Sequence, residues 1–121
     1  MTEAQEQIAV IQYCDFKRIP VFHIPNGGAR NKREGAHLKR QGVRPGVPDL
    51  CIPMPKGAYH SLYIEMKTKK GRATQAQKDW IELLNSLGHC AHICKGADAA
   101  IELIRKYMNL KEGAKINDHC H

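Results

Sequence analysis

Ala4, Ile8, Ile11 and Phe16 recur at helical spacing, and Thr2 and Gln5 stand at capping-box spacing. The pattern predicts a helix over residues 3–16, ended by Pro20. VFHIP at 21–25 is alternating and β-rich and predicts a first strand, broken by NGG at 26–28. Residues 29–47 are basic and punctuated by glycine, and they read as a functional loop with one helical turn around Glu34 to Gln41. PDLCIP at 48–53 and HSLYIEMK at 60–67 predict two strands, turned into a hairpin by PKG at 55–57. Gly71 breaks the pattern. Thr74 and Gln77 then open a helix whose apolar face is Ala76, Trp80, Leu83, Leu84 and Leu87, stopped by Gly88. HCAHIC at 89–94 predicts a fourth strand, and a helix from about Asp98 to Met108 follows, with Ala97, Ile101, Ile104 and Met108 on one side. Residues 109–121 have no period and are expected as a flexible, frayed tail outside a single domain spanning 1–108.

The order helix, three strands, helix, strand, helix defines an α/β chain with an αβββαβ core. A mixed four-stranded sheet flanked by helices is expected, because a connection through a helix favours parallel pairing at the sheet's end. With 121 residues there is room for one compact domain and not for two, so chemistry that needs two active sites requires a second copy. Charge sharpens the picture. The formal net charge is +7 and the pI about 9.3, and the excess is uneven. Arg30, Lys32, Arg33, Lys39, Arg40 and Arg44 crowd one stretch against Glu34 alone, and Lys67, Lys69, Lys70 and Arg72 form a second cluster. One basic run is ordinarily a solvated face. Two that flank an acidic motif suit a polyanion, because each neutralised phosphate releases condensed counterions. No run approaches the ~18 apolar residues of a membrane helix, and aromatics are too scarce for a platform of stacked bases. Cys14, Cys51, Cys90, Cys94 and Cys120 are an odd, irregularly spaced set, and no apolar leader precedes Ile8, so a reducing cytoplasm is expected.

The chemistry gathers in three charged residues within apolar strands. Alternation puts Tyr63, Glu65 and Lys67 on one face and Leu62, Ile64 and Met66 on the other. Taken alone, Glu-x-Lys is a solvated pair on an edge strand. Asp49 changes the balance, since a short hairpin lays its strand beside Glu65 and brings two carboxylates together. Neighbouring carboxylates repel, and one must hold a proton at neutral pH unless a cation sits between them. Oxygen ligands without a nearby His or Cys point to Mg²⁺ or Mn²⁺ rather than zinc. An ammonium beside such a cation can orient the attacking water, which together describes a phosphodiester hydrolase.

GVPDL (46–50), IEMK (64–67), GRATQAQ (71–77) and HIPNGG (23–28) resemble the virus-type replication-repair nuclease (VRR-Nuc) branch of the PD-(D/E)XK nucleases, over residues 3 to about 108. The resemblance implies a restriction-endonuclease-like fold. It makes Asp49, Glu65 and the main-chain carbonyl of Met66 ligands of Mg²⁺ or Mn²⁺, and Lys67 the catalytic lysine. It also implies a glutamine on the helix after the motif, which Gln77 matches, although a capping-box residue fits Gln77 equally well. For its acid on the first helix Glu3 and Glu6 compete, with Glu3 preferred. Stand-alone viral and bacterial members resemble dimeric resolvases of four-way (Holliday) junctions that recognise DNA structure. Asn26, Arg30, Lys32, Arg33, Arg44, Lys69 and Arg72 are then expected on the DNA backbone. Resolution needs paired cuts, for which a two-fold homodimer is the economical arrangement. A monomeric nuclease for flaps or ends and a non-catalytic DNA-binding module on the same fold are the rivals.

Other signals carry less. Cys90, His92 and Cys94 alternate on one strand face, successive ones roughly 7 Å apart along the strand, too far to share a zinc ion without distortion, and His119, Cys120 and His121 form an unpatterned tail. His23 could approach the site from a neighbouring strand, but a satisfied core histidine is the more ordinary reading, and Trp80 belongs to an apolar stripe.

Overall fold

The computed structural model describes residues 1–25 and 31–116. Among these the chain forms α1 (Glu3–Phe16), β1 (Phe22–His23), α2 (Lys32–Arg40), β2 (Leu50–Ile52), β3 (Leu62–Lys67), α3 (Gln75–Ser86), β4 (Cys90–Lys95) and α4 (Ala97–Met108). The strands lie side by side in chain order. β1, β2 and β3 pair antiparallel, and β4 returns through α3 to pair parallel with β3, as the expected mixed sheet requires. Among the described residues no helix is long and apolar enough to cross a membrane.

Strand alternation divides the core in two. Leu62, Ile64 and Met66 of β3 join Val10 and Cys14 of α1 and Ala100, Leu103, Ile104 and Tyr107 of α4 on one face. Each Val, Leu, Ile or Met side chain among these, when fully buried, contributes roughly 1.5–3 kcal/mol. On the opposite face, Ala91 and Ile93 of β4 meet Ile81 and Leu84 of α3, with Tyr63 and Trp80 half-buried beside them. Glu65 and Lys67 therefore lie on the α3 side.

Several boundaries and faces differ from the sequence reading. α1 has the expected span, but its buried seam is Glu6, Val10 and Cys14, while Ile8 and Phe16 are 55% and 82% exposed. The helix turns its four-residue ridge to α4 and β3, and the apolar residues between those ridge positions face outward. α3 likewise buries Ile81 and Leu84 and exposes Leu83 and Leu87. Proline at 20 and 25 confines β1 to two residues. α2 is a full nine-residue helix where one turn was expected. Its signals are polar: Asn31 caps the Glu34 amide at 2.8 Å, Glu34 occupies the first turn, and Lys39 and Arg40 face the negative end of the dipole. It buries no residue, so hydrophobic periodicity could not reveal it.

Residues 109–116, expected as frayed, are tied to the β2–β3 connection. The Ala58 amide donates to the Ala114 carbonyl at 2.9 Å, the Ile116 amide donates to the Tyr59 hydroxyl at 3.0 Å, and Leu110 and Ile116 pack on the core. The rest of the expected tail, including His119, Cys120 and His121, lies outside the described residues.

β4 is an edge strand, and Asn85 covers part of that edge. Its side-chain amide donates to the Ala91 carbonyl at 3.0 Å and accepts from the Ala91 amide at 2.9 Å, as a neighbouring strand would. Asn85→Ala is expected to lower stability by about 1–2 kcal/mol through loss of both bonds, read as a reduced urea midpoint at unchanged m-value.

Candidate active site

Asp49 immediately precedes β2 and is fixed through its main chain and its side chain. Its carbonyl accepts the Ile24 amide at 2.7 Å, and its carboxylate accepts the Met66 amide at 2.8 Å. A strand residue sends its N–H and C=O to the same edge, so the Met66 carbonyl also leaves β3 on the side of Asp49. His23 contributes differently from the core role expected of it. It is exposed, and its Nδ1 stands 2.9 Å from the Asp49 carbonyl and 3.2 Å from Gln7 Nε2. A protonated Nδ1 donates to that carbonyl, adding a third hold on Asp49.

Glu65 is only 1% exposed. One carboxylate oxygen, Oε2, accepts from Gln77 Nε2 at 3.2 Å and lies 4.0 Å from Lys67 Nζ. The other, Oε1, is buried without a partner. Glu3, Asp49 and Glu65 each offer an oxygen, and these lie within 4.8 Å of one another. Glu6 is not part of that group. Its Oε2 stands at the start of α4, 2.9 Å from where a Cβ on Gly96 would lie. Burial, reinforced by the charge and hydrogen bonding of Asp49 and by Glu3, pushes the Glu65 carboxyl up to about 9, against the pull of Lys67. Such a carboxyl is either protonated or matched by added positive charge. The three acids with the Met66 carbonyl are hard oxygen donors, and the partnerless oxygen gives a dication a place to act. The set fits Mg²⁺ or Mn²⁺.

Gln77 closes the capping box and also reaches Glu65. Its Oε1 accepts the Thr74 amide at 2.8 Å and its own amide donates to Thr74 Oγ1 at 3.2 Å, closing the capping box, while Nε2 is left for Glu65. Gly46 locks this helix start against the loop before Asp49. Its φ is +87°, and a Cβ there would lie 2.5 Å from the Ala76 carbonyl carbon and 2.8 Å from the Gln77 nitrogen.

The basic residues stand further out. Lys32 and Arg33 are exposed on the first turn of α2, exposed Arg44 donates to the Lys39 carbonyl at 2.9 Å, and Lys69 and Arg72 are exposed between β3 and α3. Asn26 and Arg30 lie outside the described residues. Cys90 and Cys94 are buried in the α1–α4 core, and among the described residues the only convergent metal-ligating group of three is the acidic one. Lys95, which the sequence reading left outside its fourth strand, ends β4 as the register partner of Lys67. One further residue of strand pattern was the signal for it.

The VRR-NUC domain family matches residues 1–98. A solved structure named as a VRR_NUC domain protein aligns with a TM-score of 0.81 at 35% identity, covering 98% of this chain and 98% of that one. A search of curated proteins finds no match. The fold thus has a family context, and the chain belongs to the VRR-NUC domain family. Membership carries a nuclease-type function, with DNA as the substrate.

The raised Glu65 carboxyl has a testable sign. In metal-free protein the folded state keeps a proton that the unfolded chain releases near pH 4.5, so this group's favourable contribution is complete below that pH and is lost as pH rises toward about 9. In EDTA, the wild-type Tm is expected to fall across this window relative to Glu65→Gln, which cannot titrate. Parallel profiles for the two proteins would exclude a protonated Glu65.

Proposed function

We propose that this protein is a Mg²⁺- or Mn²⁺-dependent, structure-selective DNA endonuclease that resolves four-way junctions as a homodimer. The observation that carries the metal-dependent reading is the convergence of Glu3, Asp49 and Glu65, of which Glu65 is buried with one carboxylate oxygen lacking a partner. Asp49, Glu65, Glu3 and the Met66 carbonyl would hold the cation. When bound, it supplies Lewis-acid stabilisation of charge developing on the phosphoryl oxygens.

The chain's own residues do the rest. Lys67, 12% exposed beside Glu65, orients the attacking water and offsets negative charge as its oxygen bonds to phosphorus and the bond to the leaving oxygen breaks. Gln77 holds Glu65 in position from the start of α3. His23 and the Met66 amide hold Asp49. Lys32, Arg33, Arg44, Lys69 and Arg72, with Asn26 and Arg30, bind phosphates and so read the shape of the substrate rather than its sequence. Junction resolution takes two cuts, and one acidic centre among the described residues leaves the second to a symmetry-related copy.

Labelled junction, flap, duplex and single-stranded DNA, each incubated with and without Mn²⁺ beside a measurement of solution mass, test the reading. Junction cleavage that needs the metal, by a protein of twice the chain mass, is expected. Flap cutting by a monomer would replace it with an end-processing nuclease, and metal-independent binding without cleavage with a DNA-binding module. Lys67→Ala is expected to reduce turnover by about 10²–10⁴-fold while leaving DNA affinity intact. Wild-type cleavage by that variant would remove Lys67 from the mechanism.

A further inference from the structure

Between α3 and the outer edge of β4 runs a groove of about 820 Å³, within the roughly 300–1,000 Å³ of pockets that hold nucleotide-sized ligands. Its rim carries Arg72, Lys78 and Lys95 against the single acid Glu82, and its floor includes Ile81 and Ile93. Lys78, Ile81 and Glu82 stand three and four residues apart on α3, so one side of that helix forms the wall.

The groove is close to the acidic centre for a reason of register. Lys95 pairs across the parallel ladder with Lys67, and paired strand residues share a face. Adjacent strands are about 4.8 Å apart, so the groove opens one strand's width from the lysine at the acidic centre. On the helical wall, Lys78 follows Gln77, which holds Glu65. A backbone whose phosphate sits at Glu65 and Lys67 thus meets three more cations on the β4 side. Cations on the rim over an apolar floor suit a nucleotide, with phosphate on the former and sugar or base on the latter. Among the described residues no aromatic ring lines the floor, so none of them favours one base by stacking.

We infer that this groove seats the DNA strand adjoining the scissile phosphodiester, with Arg72, Lys78 and Lys95 on its phosphates. The inference rests on the nuclease reading above and adds Lys78 and Lys95 to the groups that hold substrate. Anisotropy titrations of labelled junction DNA in Ca²⁺ over a range of salt, with steady-state cleavage in Mn²⁺, test it. Lys78→Ala/Lys95→Ala is expected to flatten the slope of log affinity against log salt by about 1.4–1.8, for two lost phosphate contacts. KM should rise with kcat unchanged. Glu82→Lys adds a cation to the rim and is expected to steepen that slope by about 0.7–0.9, a gain that misfolding cannot mimic. The pair Arg105→Ala/Lys111→Ala, on α4 and beyond it, should leave the slope as it was. Wild-type slopes and KM in both groove variants of a protein that cuts DNA would overturn the groove assignment alone. An equal loss from the control pair would also overturn it, by reducing the effect to net charge. A wild-type protein that neither binds nor cuts any DNA would instead remove the nuclease reading beneath it.

Discussion

The architecture depends on a carboxylate being kept out of water. Glu65 sits in β3 between Ile64 and Met66, both packed in the α1–α4 core, so the strand cannot roll to hydrate its acid without exposing its apolar face. A lone ionised carboxyl in such a place is costly, and the fold answers only in part. Gln77 and Lys67 attend to one oxygen and leave the other alone, while Asp49 and Glu3 add like charge. The surrounding elements supply rigidity. Asp49 is held by the amides of Ile24 and Met66, and α3 is pinned through Gly46. A site assembled in this way is organised before anything binds to it, at the expense of repulsion among its acids.

Much of this was legible in the sequence, and the reasons are specific. Helix starts announced by Thr2 and Thr74 were correct because capping boxes are local, and both are closed as hydrogen-bonded pairs. The sheet followed from apolar runs bounded by proline and glycine. Alternation placed Glu65 and Lys67 on one face, and the PD and E-x-K spacing marked the acids that the fold brings together with Glu3. Faces of helices were less legible. Ile8, Phe16, Leu83 and Leu87 fit an apolar period, yet rotation of each helix is decided by its partners, and α1 spends a buried position on Glu6.

Other features had no one-dimensional signal of the kind sought. α2 is stabilised by its cap and its charges and buries nothing, so its pattern looks like a loop. Leu110 and Ile116 are isolated apolar residues whose partners lie half a chain away, around Tyr59. His23 looked like a core residue in an alternating strand, but a two-residue edge strand has no covered face to bury it. The closeness of Lys95 to Lys67 exists only once the parallel register is known.

The double use of Gln77 limits which letters the helix start can carry. A capping box accepts glutamate or glutamine at its third helical position, since either offers an oxygen to the capping amide. Only glutamine has a spare N–H for the neighbouring acid; glutamate would close the same turn while setting another negative oxygen against Glu65. An ordinary signature of helix initiation is thereby narrowed to one spelling by a side chain twelve positions upstream.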